Sequence, residues 1–326
     1  MSGSENPLVS LVMPVWRPRR EWLLQAVESA SAQRGCPLEL IVVDDGNQQP
    51  VAELLQDVRS RALRVVRIEH GGPSLARNAG IEAARGRLIR FVDADDVYEP
   101  DSTARLARLS GDGAAIAYGR TVFCDQDLRP VWTMSSRREG HVAADAVLGR
   151  FAVRIQSLLF PTSVIEAAGP WDPSFPVCHD LEFIIRALER ARVRSDPAVA
   201  TYYRKHGASV SSDIARGDDD IRRVIERYFE RHPEHRGTAL ERRATAWRHA
   251  VAARARTTRG MPRSALRRLV QSLALDPRAA GCEAWLALPA LAGHLAHAAG
   301  RFPPLAEPTG ARGGALAGTR RRGSRT

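Results

Sequence analysis

The sequence predicts an α/β sandwich on a mostly parallel central sheet, followed by an α-helical C-terminal region. Three observations carry this. Apolar runs alternate with helix-period segments from the start to about residue 206. The runs are continuous rather than alternating, as in strands buried on both faces. Several end in polar or acidic residues, and sheets of this kind bind ligands beyond the carboxyl ends of their strands.

Leu8 to Val15 is a short apolar run and reads as the first strand. From about Arg20 to Gln33, Leu23, Leu24, Val27 and Ala30 recur on one helical face. Leu38 to Val43 is a buried strand, Val51 to Val58 a helix, Leu63 to Ile68 a strand, Ser74 to Ala84 a helix and Leu88 to Val92 a strand. Asp101 to Leu109 is helical, and residues 114–124 and 155–160 are further strands. His179-Asp180 opens an amphipathic helix over Leu181 to Leu188, and Val199 to Arg204 is a late strand. Helices follow over 216–231, 238–257 and 263–275, with Pro262 at a start and Asp276-Pro277 at a stop. One more helix is expected over 284–300, and a disordered basic tail over 303–326. The division expected is an α/β domain over 1–215, a helical region over 216–302 and the tail.

The chain has 326 residues, 44% hydrophobic and 26% charged, an ordinary globular composition. Cys36, Cys124, Cys178 and Cys282 are scattered without a CxxC pair and read as reduced thiols. Together with the lack of a leader pattern, they lead to the expectation of a cytoplasmic protein. The net charge of +11 is uneven. Residues 1–215 carry 26 Arg and Lys against 27 Asp and Glu; residues 216–326 carry 22 against 10. Contact with an anionic membrane surface therefore belongs to the C-terminal region, where a solvated basic face is the equal alternative. A nearly neutral first part gives no expectation of specific nucleic-acid binding.

Chemistry concentrates at strand ends. In Arg90-Phe91-Val92-Asp93-Ala94-Asp95-Asp96, three acids fall within four positions. Crowded carboxylates repel unless a cation sits among them, and a hard divalent ion with oxygen ligands is the usual partner. The other polar strand ends are Met13-Pro14-Val15-Trp16 and Val43-Asp44-Asp45-Gly46-Asn47. A glycine loop and helix start, Gly71-Gly72-Pro73-Ser74-Leu75-Ala76-Arg77-Asn78-Ala79-Gly80, precedes the acidic run. Singly, each also reads as a turn or a cap.

In this order, over residues 8–212, the motifs resemble the inverting family 2 glycosyltransferases of the GT-A fold. That family's pattern runs Pro-Val-aromatic, Val-Asp-Asp-Gly-Ser, Gly-x-x-x-Ala-Arg-Asn-x-Gly and Asp-x-Asp-Asp. The departures are Trp16-Arg17 for Tyr-Asn and Asn47 for Ser. The resemblance implies a Rossmann-like nucleotide-diphospho-sugar transferase sandwich and transfer of one sugar from a nucleotide-sugar donor. The acceptor would be a glycan, a lipid-linked glycan or a small molecule. It also implies a divalent cation, Mn2+ or Mg2+, on the donor diphosphate. Asp95 is the expected metal ligand, with Asp93 on ribose or a metal-bound water. Asp96 is expected to cap a following helix or to pair with an arginine. Asp45 would meet the base edge, Pro14 and Val15 its backbone contacts, and Trp16 its ring face. Arg77 either supports the donor or braces Asp93 or Asp45.

Gly169-Pro170-Trp171-Asp172 resembles the family's lead-in to an acid that serves as catalytic base. That register makes Asp180 the base, with a plain helix cap as the alternative. Tyr202-Tyr203-Arg204-Lys205-His206-Gly207-Ala208-Ser209-Val210-Ser211 resembles a closing loop over the diphosphate. Arg204 and Ser209 would touch phosphate there. His206 is a third metal ligand or an ordinary hydrogen-bonded histidine. No Gln-x-x-Arg-Trp sequence occurs. The family's processive synthases carry that motif, so a single addition is expected. A nucleotidyltransferase is the runner-up, disfavoured because Pro14-Val15-Trp16 stands where its phosphate loop would follow the first strand. A non-catalytic sugar-nucleotide-binding protein is the other rival, and Asp95 and Asp180 argue against it.

Overall fold

A computed structural model describes residues 9–60, 62–111, 113–206 and 214–278. In chain order the elements are β1 Val9–Val15, α1 Arg20–Ser31, β2 Leu38–Asp45, α2 Val51–Leu54, β3 Leu63–Ile68, α3 Pro73–Ala83, β4 Leu88–Phe91, β5 Val97–Tyr98, α4 Ser102–Ser110, β6 Ala115–Cys124, β7 Pro130–Met134, α5 Ala143–Val147, β8 Leu158–Pro161, α6 Thr162–Ala168, α7 His179–Leu188, β9 Arg192–Arg204, α8 Ile214–Arg231, α9 Ala239–Thr257 and α10 Pro262–Leu275. The expected helix over 284–300, the tail, Cys282 and Ser209 lie outside the described residues.

The described strands form one nine-stranded sheet in the order β3-β2-β1-β4-β8-β6-β9-β5, with β7 added to β6. Pairing is parallel across β3-β2-β1-β4. It turns antiparallel at β4–β8 and β8–β6, and β6–β9 is parallel again. The predicted α/β sandwich is therefore present, with the parallel half holding the first three motifs. β1, β2 and β4 are buried almost throughout, as their continuous apolar runs require. α1 buries Leu23, Ala26, Val27 and Ala30, a spacing that puts all four on one face. α3 lies so close to β1 that a Cβ on Gly80 would fall 2.2 Å from Val12 Cγ1.

Some elements differ from the sequence reading. α2 is a single turn, shorter than expected, with Val51 as its buried residue. No helix follows Asp96 directly; Val97–Tyr98 instead pairs antiparallel with β9. β9 begins at Arg192, well before Val199. Its polar first half and Pro197 mask it in the sequence, and register shifts against β6 beside Tyr118 and Arg120 accommodate the irregularity. β7, α5 and α6 are short and carry little periodicity.

Arg90, fully buried, is the polar centre of this core. It donates to Gln156 O (2.9 Å), Ser102 Oγ (2.8 Å), Thr103 Oγ1 (3.0 Å), Ala200 O (3.0 Å) and Thr201 Oγ1 (3.0 Å). These bonds tie β4 to α4 and β9 and fix the strand that carries the acidic run. The C-terminal helices are packed onto the same core, since α8 contributes Val224, Ile225, Tyr228 and Phe229 to its main cluster. Asp218 on α8 gathers Arg248 and Arg256 of α9 and Arg268 of α10.

Candidate active site

The acidic run follows the end of β4. One carboxylate oxygen each from Asp93, Asp95 and Asp96 lies within 4.8 Å of the others. Asp96 is completely buried; its Oδ1 accepts the Arg204 N–H at 2.9 Å, and its Oδ2 is buried with no hydrogen-bond partner among the described residues. Burial, then the charges of Asp95 and Asp93, pushes its carboxyl well above the usual range. Asp93 is raised in the same direction, by burial, with Arg77 opposing and Asp95 and Asp180 adding to the rise. An orphaned buried oxygen among three crowded carboxylates is the donor set a hard divalent cation satisfies. Asp96 neither caps a helix nor pairs with a guanidinium, as the sequence reading had it; it holds the backbone of Arg204.

His206 comes to this cluster from the far side, with Nε2 2.8 Å from Asp95 Oδ2. Asp95 is a third exposed and the His206 ring is packed near Trp22, with ring centroids 4.9 Å apart. Both readings of His206 stay compatible with this contact. Arg204, expected on phosphate, turns into the protein instead. The residue is 2% exposed, and its guanidinium donates to Asp95 O at 2.9 Å, to Gln25 Oε1 at 2.6 Å and to Gln126 O. Each of its three nitrogens is thus engaged by the protein, and the side chain braces the acidic loop rather than reaching out to a phosphate.

Asp45 also does something other than expected. It is 1% exposed, and its oxygens accept Gly71 N–H (2.8 Å) and Gly72 N–H (3.0 Å) and contact His70 Nδ1 (3.0 Å). The carboxylate that was to meet a base edge therefore clamps the glycine loop to β2. Gly46 permits the approach: its φ is +67°, and a Cβ there would lie 2.6 Å from His70 N. The clamp leaves His70 stacked on Trp16, with centroids 4.5 Å apart and planes 10° apart. Trp16 is 46% exposed, and the Arg17 guanidinium also lies over its ring, 4.4 Å from the centroid.

Sequence reasoning missed Asp44 and Asn47. Asp44 accepts Asn47 N–H (3.0 Å), Asn47 Nδ2–H (2.7 Å) and Val51 N–H (3.0 Å). Burial would raise its carboxyl, but these bonds and Arg67 hold it below the usual range. Asn47 Oδ1 takes the Arg17 N–H at 2.6 Å, and Nδ2 donates to Val15 O at 2.8 Å. Arg17 sits at φ +46°, a costly conformation for a side-chain-bearing residue, and this bond holds it there. The exchange of Ser for Asn was the available signal: the longer amide reaches both sides of the turn. It also occupies the Val15 carbonyl that the sequence reading offered to a base; Pro14, beside it, is half-buried.

Arg77 links the acidic run to α7. It is 4% exposed in its side chain, with Nη2 3.1 Å from Asp93 Oδ1 and Nη1 3.4 Å from Asp180 Oδ1. Its guanidinium lies over the Trp171 ring at 4.6 Å. Of the two readings of Arg77, the brace is the one seen, on Asp93 and Asp180 rather than Asp45. Asn78, one residue on, exchanges two hydrogen bonds with the Trp171 backbone, at 2.9 and 2.8 Å, and so registers α3 against the loop before α7.

Asp180 lies in the first turn of α7, a third exposed, with His179 Nε2 3.2 Å from its Oδ1. The N-cap residue is Cys178, and no side chain caps this helix, so the plain-cap alternative for Asp180 is not realised. Burial acts to raise the Asp180 carboxyl; His179 and Arg77 overcome it and hold the group well below the ordinary carboxylate range. The free N–H groups of Val177 and Cys178 go to Asp220 of α8 at 2.9 and 3.0 Å, so the helical region anchors the start of α7. Glu182 is used structurally, paired with Arg186 at 2.7 Å.

Residues 10–164 match the profile of the family described as Glycosyl transferase family 2. The succinoglycan biosynthesis protein ExoO of Rhizobium meliloti is 40% identical over 97 residues, 29% of this chain and 28% of that protein. The uncharacterized glycosyltransferase EpsJ of Bacillus subtilis is 37% identical over 106 residues, 32% of this chain and 30% of its own length. The matched stretch thus spans under a third of either relative. A crystal structure of S. aureus TarS 1-349 in complex with UDP-GlcNAc superimposes with a TM-score of 0.58 at 15% identity, over 90% of this chain and 92% of that one. At that identity the likeness is one of fold. Asp180 and His206 lie beyond the family match.

Proposed function

We propose that the chain transfers a single sugar from a nucleotide-diphosphate donor to an acceptor hydroxyl, with inversion and with a divalent cation, in the synthesis of a polysaccharide or glycoconjugate. The observation that carries this is the Arg77 bridge, which joins Asp93 of the acidic run to Asp180 of α7 in one site. Asp95, Asp93 and Asp96 would hold Mn2+ or Mg2+, with His206 beside them. When bound, that ion offsets charge building on the departing diphosphate.

The rest is the work of side chains. Trp16, with His70 stacked on it and Arg17 over its ring, forms an aromatic and cationic platform at the β1–β2 end, suited to a nucleotide. Asp180 is ionised at neutral pH and accepts the proton of the acceptor hydroxyl. Because it is a weak base, the proton moves as the new glycosidic bond forms and the hydroxyl becomes acidic. The oxygen attacks the anomeric carbon on the face opposite the diphosphate. One bond forms as the other breaks, so the configuration inverts without an enzyme nucleophile.

Among the described residues no helix is long and apolar enough to cross a membrane. The basic C-terminal region suits peripheral contact with an anionic surface. An Asp180→Asn variant tests the assignment. It should bind a nucleotide sugar with wild-type affinity and form no transfer product; undiminished transfer removes Asp180 from its role.

A further inference from the structure

On the far side of the acidic cluster from Trp16, three aromatic rings stand in one row across neighbouring strands. Trp132 of β7 pairs in register with Phe123 of β6, which pairs with Tyr203 of β9. Trp132 and Phe123 stack with centroids 4.1 Å and planes 10° apart; Phe123 and Tyr203 are 5.0 Å apart. Trp132 remains 48% exposed and its neighbour Val131 69% exposed. A tryptophan held flat and half in solvent on a hairpin presents a rigid ring face on which a ligand can stack.

Arg154 lies against this row, its guanidinium 5.2 Å from the Phe123 ring and 5.0 Å from the Tyr203 ring. Its Nε is buried, with no hydrogen-bond partner among the described residues. Two residues on, Gln156 donates to Asp93, so this segment runs along the acidic cluster. Arg154 is also close enough to act on the charges of Asp96 and Asp180. A partly buried guanidinium with an unsatisfied edge favours a bidentate anion, a carboxylate or a phosphate. The position says which substrate brings it. In the strand order, the nucleotide platform is at β1 and β2, whereas this row is at β6, β7 and β9, with the acids between.

We infer that Trp132, Phe123, Tyr203 and Arg154 form an acceptor subsite for an anionic sugar: the pyranose ring lies on Trp132, and its carboxylate or phosphate pairs with Arg154. This rests on the glycosyltransferase reading above and names the acceptor class that reading left open.

The test uses the full chain and matched probes. Glucose, galactose and mannose, each with a hydroxyl, a carboxylate or a phosphate at C6, are titrated by saturation-transfer NMR. The wild type should bind at least one anionic form fivefold or more tightly than its neutral parent. Carboxylate against phosphate preference identifies which anion the site is built for. Arg154→Gln should bring that ratio to about one, Arg154→Lys should keep part of it, and Trp132→Ala should weaken neutral and anionic forms alike. No anionic preference for any ring, or a preference that survives in Arg154→Gln, overturns the inference. UDP, GDP, CDP and dTDP, titrated with Mn2+ in parallel, keep the two readings apart. If none binds, the glycosyltransferase reading falls. If one binds while the sugar ratio stays at one, the acceptor subsite alone falls.

Discussion

Arg77 lies 3.4 Å from Asp180, across the gap between α3 and α7. The same guanidinium contacts Asp93, so one buried cation reaches both ends of the site.

Replacing Arg77 by Gln should therefore act on pH dependence as well as on rate. Loss of the cation disfavours the ionised form, so the Asp180 pKa rises, with His179 still holding part of the depression. The acid limb of kcat/KM should move to higher pH in Arg77→Gln. Stability should fall by about 2–3 kcal/mol, less than for a fully buried pair because Asp180 is a third exposed. Rate–pH profiles and urea unfolding of the two proteins check both statements.

Asp96 makes the opposite contribution. Its folded-state pKa is raised above the unfolded value, so the metal-free fold is favoured below the ordinary carboxylate range and loses that advantage as pH rises through the raised value. Asp96→Asn keeps an acceptor for the Arg204 N–H and removes the charge. Without divalent cations it should melt about 2–4 °C higher than wild type at pH 8, and the gain should vanish near pH 4. Melting scans in chelator at the two pH values decide it.

Asn47 should govern nucleotide affinity. Asn47→Ala frees Arg17 from its positive φ and strips partners from Val15 O and Asp44. Donor KM should rise about tenfold, matching about 1.4 kcal/mol, with kcat changed less than twofold. A fall in kcat with donor KM unchanged would show that the turn does not serve the donor.

Arg204→Met should destabilise without acting first on the donor. It breaks a buried set of hydrogen bonds beneath the acidic loop, at a cost of about 3 kcal/mol. The expected signature is a lower unfolding midpoint and weaker Mn2+ binding.

The α/β architecture was legible because β1, β2 and β4 are buried on both faces and so are apolar along their whole length. The start of β9 was hidden because Arg192, Arg194 and Asp196 alternate with smaller residues around Pro197. The motifs lie at neighbouring strand ends, and Asp93 converges with Asp95, Arg77 and, through Arg77, Asp180. What the sequence concealed was the use of each carboxylate and cation. Asp45 and Arg204 lie in the expected motifs, yet both turn inward, because backbone N–H and C=O groups in tight loops need partners. Asn47 was marked only as a departure from Ser, and its double reach depends on a turn geometry that no spacing reveals. Arg154 belongs to no motif. It became visible only when β6, β7 and β9 brought its aromatic neighbours into register.

The central claim is that the acidic run holds a donor diphosphate through a divalent cation. Calorimetric titration of UDP, GDP, CDP and dTDP into wild type and Asp95→Asn, with Mn2+ and with chelator, tests it most directly. At least one nucleotide should bind wild type only with Mn2+, and Asp95→Asn should lose about 1 kcal/mol or more of that binding. Equal binding with and without the metal, unaffected by Asp95→Asn, would contradict the account.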